Sequence, residues 1–219
     1  MHLTRGLSFL ALGASALAIT ACSTSAPPVM APPANFVPLG LGAAYLSGDV
    51  ISGSRVRGAK MRAAKIRPLA AAQAPAYMAS LESELRRQTA GIGLDVLRVG
   101  DSIVIRVPAI LTFDTGSASV KPQTDATLLE IARTVKTRNQ TFVDVLAHTD
   151  TSGSPQGNQA LSAKRATAVA TYLASHGVSR ARIASHGYGE SAPLYNPDVT
   201  ETQKAANRRI EIRLVPYRG

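Results

Sequence analysis

Apolar and polar positions change their period several times along this chain, and each change marks an element. Met78, Leu81 and Leu85 recur at helical spacing, and Gly91 and Gly93 end that run. Leu94, Val96, Leu97 and Val99 then lead to Gly100-Asp101, after which Ile103, Ile105 and Val107 alternate strictly. Two such runs around a Gly-Asp pair predict a β-hairpin. Pro122 opens a second helix, with Leu128, Ile131, Ala132 and Val135 on its inner face. Phe142 to Ala147 reads as a short apolar strand. A longer helix is expected over 158–176, turning Leu161, Ala168, Val169, Tyr172 and Leu173 inward and stopping at Gly177. Strands follow over 183–188 and 210–214, with a short helix over 202–206 between them. The fold class is α/β: an α+β two-layer sandwich of a mixed β-sheet with helices packed mainly on one face.

Upstream the periodicity disappears. Met1 to Arg5 carries one positive charge, and Gly6 to Thr20 is small or apolar without a charge. Fifteen such residues fall short of the roughly 20 that a membrane-spanning helix needs, but they suit the apolar core of a secretory signal. Leu17-Ala18-Ile19-Thr20-Ala21-Cys22 follows at once and resembles the bacterial lipobox. That resemblance implies lipid on Cys22 and cleavage before it. One acyl chain gives only reversible membrane binding, whereas the two or three of a lipoprotein hold it in place. By the sorting rule of the lipoproteins that this segment resembles, Ser23 rather than Asp after the cysteine implies the outer membrane, with the domain facing the periplasm. The expected organisation is a signal peptide over 1–21, a flexible Ala/Pro/Gly-rich tether over 22–75, a leading helix and hairpin start over 76–104, and a domain over 105–219.

Charge is unevenly placed. The formal net charge is +10, yet six basic residues and no acid lie between Arg55 and Arg67, inside the expected tether. Residues 81–219 hold 17 basic against 13 acidic side chains. A basic excess confined to one stretch argues against nucleic acid as a partner and for either a solvated linker or contact with anionic lipid. The single cysteine excludes an internal disulfide and a cysteine-based zinc site, and the four histidines show no ligand spacing, so neither metal nor cofactor is expected.

The blocks within the domain are specific. Phe113-Asp114-Thr115-Gly116-Ser117 with Val120 and Pro122 comes first. His148-Thr149-Asp150-Thr151-Ser152-Gly153, Asn158 and Leu161-Ser162-Ala163-Lys164-Arg165-Ala166 follow. Gly187-Tyr188-Gly189-Glu190 and Asn207-Arg208-Arg209-Ile210-Glu211-Ile212 close the set. Over roughly 105–216 the chain resembles the OmpA-like C-terminal domain, and the whole layout is similar to the peptidoglycan-associated lipoproteins. Ala147 departs from the glycine usual in that family.

The resemblance implies a site for diaminopimelate in peptidoglycan stem peptides. Its free end carries an ammonium and a carboxylate on one carbon, so a binding site needs one fixed anion and one fixed cation. On this reading Asp150 takes the ammonium and Arg165 offers its planar fork to the carboxylate. Asn158 caps the helix start or holds the loop, Leu161 packs on the aliphatic stem, and Phe113 and Asp114 line the pocket. Thr149 and Arg209 complete the expected ligand set, although Arg208 and Arg209 are not distinguished by sequence. The implied protein is a non-catalytic tether between outer membrane and peptidoglycan; the alternative is an envelope scaffold whose domain serves a protein complex. No G-x-S-x-G elbow and no carboxylate pair suited to glycoside hydrolysis supports an enzyme.

Overall fold

The computed structural model describes residues 50–219. The signal peptide, the lipobox, the Cys22 anchor and the tether as far as residue 49 lie outside the described residues. Helix α1 spans Ser54–Ala63 and α2 spans Ala74–Thr89. Strands β1 (Asp95–Val99) and β2 (Ser102–Pro108) form the expected hairpin, followed by a single helical turn, α3 (Ala109–Thr112). Helix α4 (Asp125–Thr137) is entered through a 3-10 turn at Pro122–Thr124. Strand β3 (Thr141–His148), helix α5 (Pro155–Ser175), strand β4 (Ile183–Gly189), helix α6 (Glu201–Asn207) and strand β5 (Arg209–Pro216) complete the chain.

The strands form one mixed sheet in the order β1-β2-β5-β3-β4, in which only the β3–β4 pair is parallel. Period-2 alternation decides what each face does. Ile103, Ile105 and Val107 of β2, Val143, Val145 and Ala147 of β3, and Ile210, Ile212 and Leu214 of β5 all enter one core. Against them pack Met78, Leu81 and Leu85 from α2, Leu128, Ile131 and Val135 from α4, and Ala166, Val169 and Leu173 from α5. The sandwich expected from the pattern is therefore the observed one.

Helix α5 lies closest to the sheet at Gly187 of β4. A Cβ there would meet the Ala163 amide nitrogen at 2.2 Å and the Ser162 hydroxyl at 2.5 Å, so only glycine fits this crossing. Gly177 ends α5 at φ 92°, as its position after the last apolar residue predicts.

The opposite face carries buried charge beside a small apolar cluster around Val104 and Leu146. Asp144 of β3 pairs with Arg213 of β5 at 2.7 Å, and Arg209 pairs with Glu211 at 2.7 Å, all four buried. This face corrects the extent of the tether. Residues 50–75, expected to be flexible, fold onto the domain: Val50, Met61 and Ile66 cluster with Phe142, Val215 and Tyr217. Arg57 of α1 is buried and ion-paired to Asp144, and it also donates to the carbonyls of Val143, Arg182 and Ile51. Beyond α1, the Leu69 amide donates to the Tyr217 carbonyl at 2.7 Å. The sequence hides this docking because α1 buries a charged residue where a helix usually turns a large apolar one inward.

Candidate binding site

The site forms where β3 ends and α5 begins. The Thr149 amide donates to the Gly189 carbonyl at 2.8 Å, which carries the chain past the strand end and delivers Asp150 to the rim. Ser154 caps α5 by accepting from the Gly157 amide, and Pro155 occupies the first helical turn. Asn158 therefore is not the cap. It lies one turn inside the helix and donates to the Asp150 carbonyl at 3.2 Å, the Ser152 carbonyl at 3.1 Å and the Glu190 carboxylate at 2.6 Å. Its role is to tie the loop to the helix. Asp198 supports the same loop from outside, accepting from the Thr151 amide at 3.1 Å and from Asn207 at 2.9 Å.

Around this loop is a cavity of about 530 Å³. Phe113, Asp114, Thr149, Asp150, Asn158, Leu161 and Arg165 all line it, together with Ile110, Glu201 and Arg208. Seven of the eight ligand residues expected from the sequence thus meet in one place. Arg209 is the exception and is corrected here. Strand alternation turns it to the charged face, where it is 1% exposed and donates to Glu211 and to the carbonyls of Asn207 and Ala192. The preceding residue, Arg208, has the opposite orientation and lines the cavity.

The charged groups at the site divide into two sets. Asp150, whose side chain is 8% exposed, accepts from Arg208 at 2.5 Å and from the Ser152 amide at 3.1 Å. Arg208 also pairs with Glu201. Burial opposes the charge on Arg208, but hydrogen bonds to Glu201 and Asp150 outweigh it and raise its pKa. Arg165 has a different environment. Its guanidinium donates to the carbonyls of Ser117 at 2.8 Å and Asp114 at 3.2 Å, and stacks over the Phe113 ring at 5.1 Å. Burial and the neighbouring Arg208 both work against its charge, with Asp150 opposing them. Asp114 itself is exposed at the rim and pairs with Lys121 at 3.1 Å, so it contributes to Arg165 through its backbone.

Chemically, the cavity is lined by three carboxylates, Asp114, Asp150 and Glu201, and two guanidinium groups, Arg165 and Arg208, beside a half-apolar wall of Phe113, Leu161 and Ile110. Of the carboxylates Asp150 is the buried one, while Asp114 and Glu201 are exposed at the rim. That suits a ligand bearing both charges on a short aliphatic stem. Glu201 and Glu190 were not singled out by sequence as contacts, and Arg208 was left as the alternative to Arg209. Arg208 had a signal, its pairing with Arg209, but only strand alternation from the β5 start assigns the direction of each. Among the described residues no group of His, Cys, Asp and Glu is placed to hold a metal ion.

Residues 112–208 match the model of the OmpA family, and the chain carries a domain of that family. It is 39% identical over 140 residues to the probable lipoprotein YiaD of Escherichia coli strain K12, covering 64% of this chain and 64% of that protein. It is 38% identical over 108 residues to outer membrane porin F of Pseudomonas fluorescens, covering 49% of this chain and 33% of the porin. The chain thus spans less than two thirds of the length of either relative. In fold it is similar to a MotB-like protein of Desulfovibrio vulgaris, with a TM-score of 0.57 at 20% identity, over 74% of this chain and 97% of the other.

Proposed function

We propose that this chain is a non-catalytic lipoprotein of the outer membrane, held by lipid on Cys22, whose domain binds the diaminopimelate of peptidoglycan stem peptides. The reading makes the chain a tether between membrane and cell wall. One observation carries it: Asp150 and Arg165 line the same cavity, yet their salt bridges and hydrogen bonds run to other partners. A structural ion pair would have joined them to each other. Arg165 instead retains its charge opposite backbone carbonyls and an aromatic face, which leaves it able to receive a carboxylate. The ammonium of the ligand goes to Asp150, in exchange for part of its contact with Arg208. The relationship to a protein named as a lipoprotein supports the anchor at Cys22.

Two charge-assisted contacts contribute about 1.5–3 kcal/mol each before the cost of association. A soluble fragment then binds in the roughly micromolar to millimolar range. Many stems on one polymer, beside a membrane anchor, raise the effective concentration and make the attachment durable.

The test is co-sedimentation of residues 50–219 with diaminopimelate-type sacculi. The piece must start no later than Val50, because a start at Ala76 would strip Arg57 from Asp144. Wild type is expected in the pellet, and folded Asp150→Ala and Arg165→Ala variants in the supernatant. Equal pelleting of the variants would overturn the zwitterion site.

A further inference from the structure

A second cavity, of about 390 Å³, lies at the other end of the sheet. Its lining includes Arg55 and Arg62 of α1, Phe142 at the start of β3, Tyr217 and Arg218 after β5, and one carboxylate, Asp101 of the β1–β2 turn. Phe142 and Tyr217 meet edge to face at 5.2 Å and form its floor, and the Tyr217 hydroxyl donates to the Gly58 carbonyl at 3.2 Å. Arg218 pairs with Asp101 at 2.7 Å. Arg55 and Arg62 are exposed and have no carboxylate partner among the described residues. The first turn of the ten-residue helix α1, which has no acidic residue and no side-chain cap, opens into the same space.

With Arg218 paired to Asp101, Arg55 and Arg62 are the two cations at this cavity that remain open to a ligand. Arg57, buried against Asp144, fixes α1 in place and so fixes Arg55 and Arg62 at the cavity rim. Strand β3 has eight residues and separates Phe142 from the Asp150 loop by roughly 25 Å, at about 3.3 Å per residue. The cationic cavity therefore lies at the opposite end of β3 from the proposed stem-peptide site. It also lies at the end where the chain arrives from Cys22, 28 residues before Val50.

We infer that this cavity is a second binding site, for the phosphate of an anionic lipid headgroup, and that it turns the α1 end of the domain to the membrane. The inference rests on the membrane anchorage proposed above, but not on the stem-peptide site. Arg55 and Arg62 take the phosphate oxygens, the α1 amides add to the positive field, and Phe142 and Tyr217 face the glycerol and upper acyl chain. Each arginine at an anionic surface strengthens attachment about fivefold, so the pair contributes about 25-fold.

The experiment uses the full lipidated chain reconstituted into vesicles, so the anchor is constant. Hydrogen exchange is followed at Ser54–Ala63 and at residues 215–219, in phosphatidylcholine alone and in phosphatidylcholine with phosphatidylglycerol. The expected result is about 25-fold slower exchange of these segments in the anionic vesicles only, lost in the Arg55→Ala/Arg62→Ala double variant. Both residues are exposed, so circular dichroism of that variant should match wild type. Exchange that ignores phosphatidylglycerol, or slowing that survives in the double variant, would overturn the site. Equal slowing by inorganic phosphate with phosphatidylcholine would assign the cavity to a free anion and overturn its orientation to the membrane. Sacculus binding by the same samples reports separately on the stem-peptide site.

Discussion

Arg57 and Asp144 are 87 residues apart in sequence and form a buried ion pair that fastens helix α1 to the middle of β3. Asp144 is shared with Arg213, so one carboxylate serves two guanidinium groups on the charged face of the sheet. Removing one member of a buried pair leaves its partner in a low-dielectric setting at a cost of about 3–5 kcal/mol. Arg213 lessens that for Asp144. Arg57→Ala should therefore cost about 2–4 kcal/mol in urea unfolding and make Ser54–Ala63 open to protease, while β2, β3 and β5 stay protected. A variant that loses neither stability nor protection of α1 would show that the pair is incidental.

Arg208 and Arg209 are adjacent, yet they should fail in opposite ways. Arg209→Ala strips the buried Glu211 of its 2.7 Å partner, and the expected loss is about 3 kcal/mol of stability with affinity for sacculi unchanged below the melting range. Arg208→Ala removes a side chain that is 32% exposed and paired with Asp150 and Glu201. Its effect on stability should be smaller than that of Arg209→Ala, because the pair with Glu201 is exposed and contributes little, and Asp150 at the rim keeps the Ser152 amide. Affinity for sacculi should shift instead. Thermal melts and co-sedimentation, run on both variants, separate the two outcomes.

How much of this was legible in advance depended on which physical signal carried it. The hairpin at Gly100-Asp101, α4 after Pro122 and the stop at Gly177 were readable because apolar period and turn chemistry agree there. Seven cavity residues were found because their motifs keep their spacing along the chain. Two things were not readable. The charged face depends on pairs such as Arg57–Asp144 and Arg209–Glu211, whose partners are chosen by register and tertiary packing rather than by local pattern. The α5 start was displaced from Asn158 to Pro155 because Ser154, not Asn158, accepts the first-turn amide. An Asn near a helix start is a cap by propensity; here its side chain is fully engaged by the loop and Glu190.

His148 gives the fold a pH dependence. It is buried on the charged face, stacked on Tyr188 at 5.2 Å, with Glu211 at 3.9 Å and Arg209 and Arg106 nearby. Burial, and then the Arg209 charge, push its pKa down to about 3, with Glu211 opposing. Between that value and the unfolded pKa of about 6.5 the unfolded chain binds a proton that the folded chain does not. Stability should thus rise with pH across this window and be complete above it. From pH 6.5 to 5 the loss from this group alone approaches about 2 kcal/mol. Urea titrations at pH 5 and pH 7 should show a smaller difference in His148→Gln than in wild type; an unchanged difference would assign the dependence to other groups.

The tightest contact between the helix layer and the sheet also sets the position of the binding cation. Gly187 meets the α5 backbone at Ala163, two residues before Arg165, and a Cβ there would overlap the Ala163 amide at 2.2 Å. The neighbour is main chain, so it cannot turn aside as a flexible side chain would. Overpacking of this kind costs about 1–3 kcal/mol when the surroundings yield. Here yielding means moving α5, and with it the guanidinium that spans the carbonyls of Ser117 and Asp114. Gly187→Ala should therefore lower the melting temperature and weaken sacculus binding together, although residue 187 is not part of the cavity lining. By contrast Gly116→Ala, at a cavity position where a Cβ meets nothing within 4 Å but φ is 71°, should cost only its local backbone strain. If Gly187→Ala melts lower but still pellets fully with sacculi, the α5 crossing does not govern the position of Arg165, and the site tolerates more movement than its geometry implies.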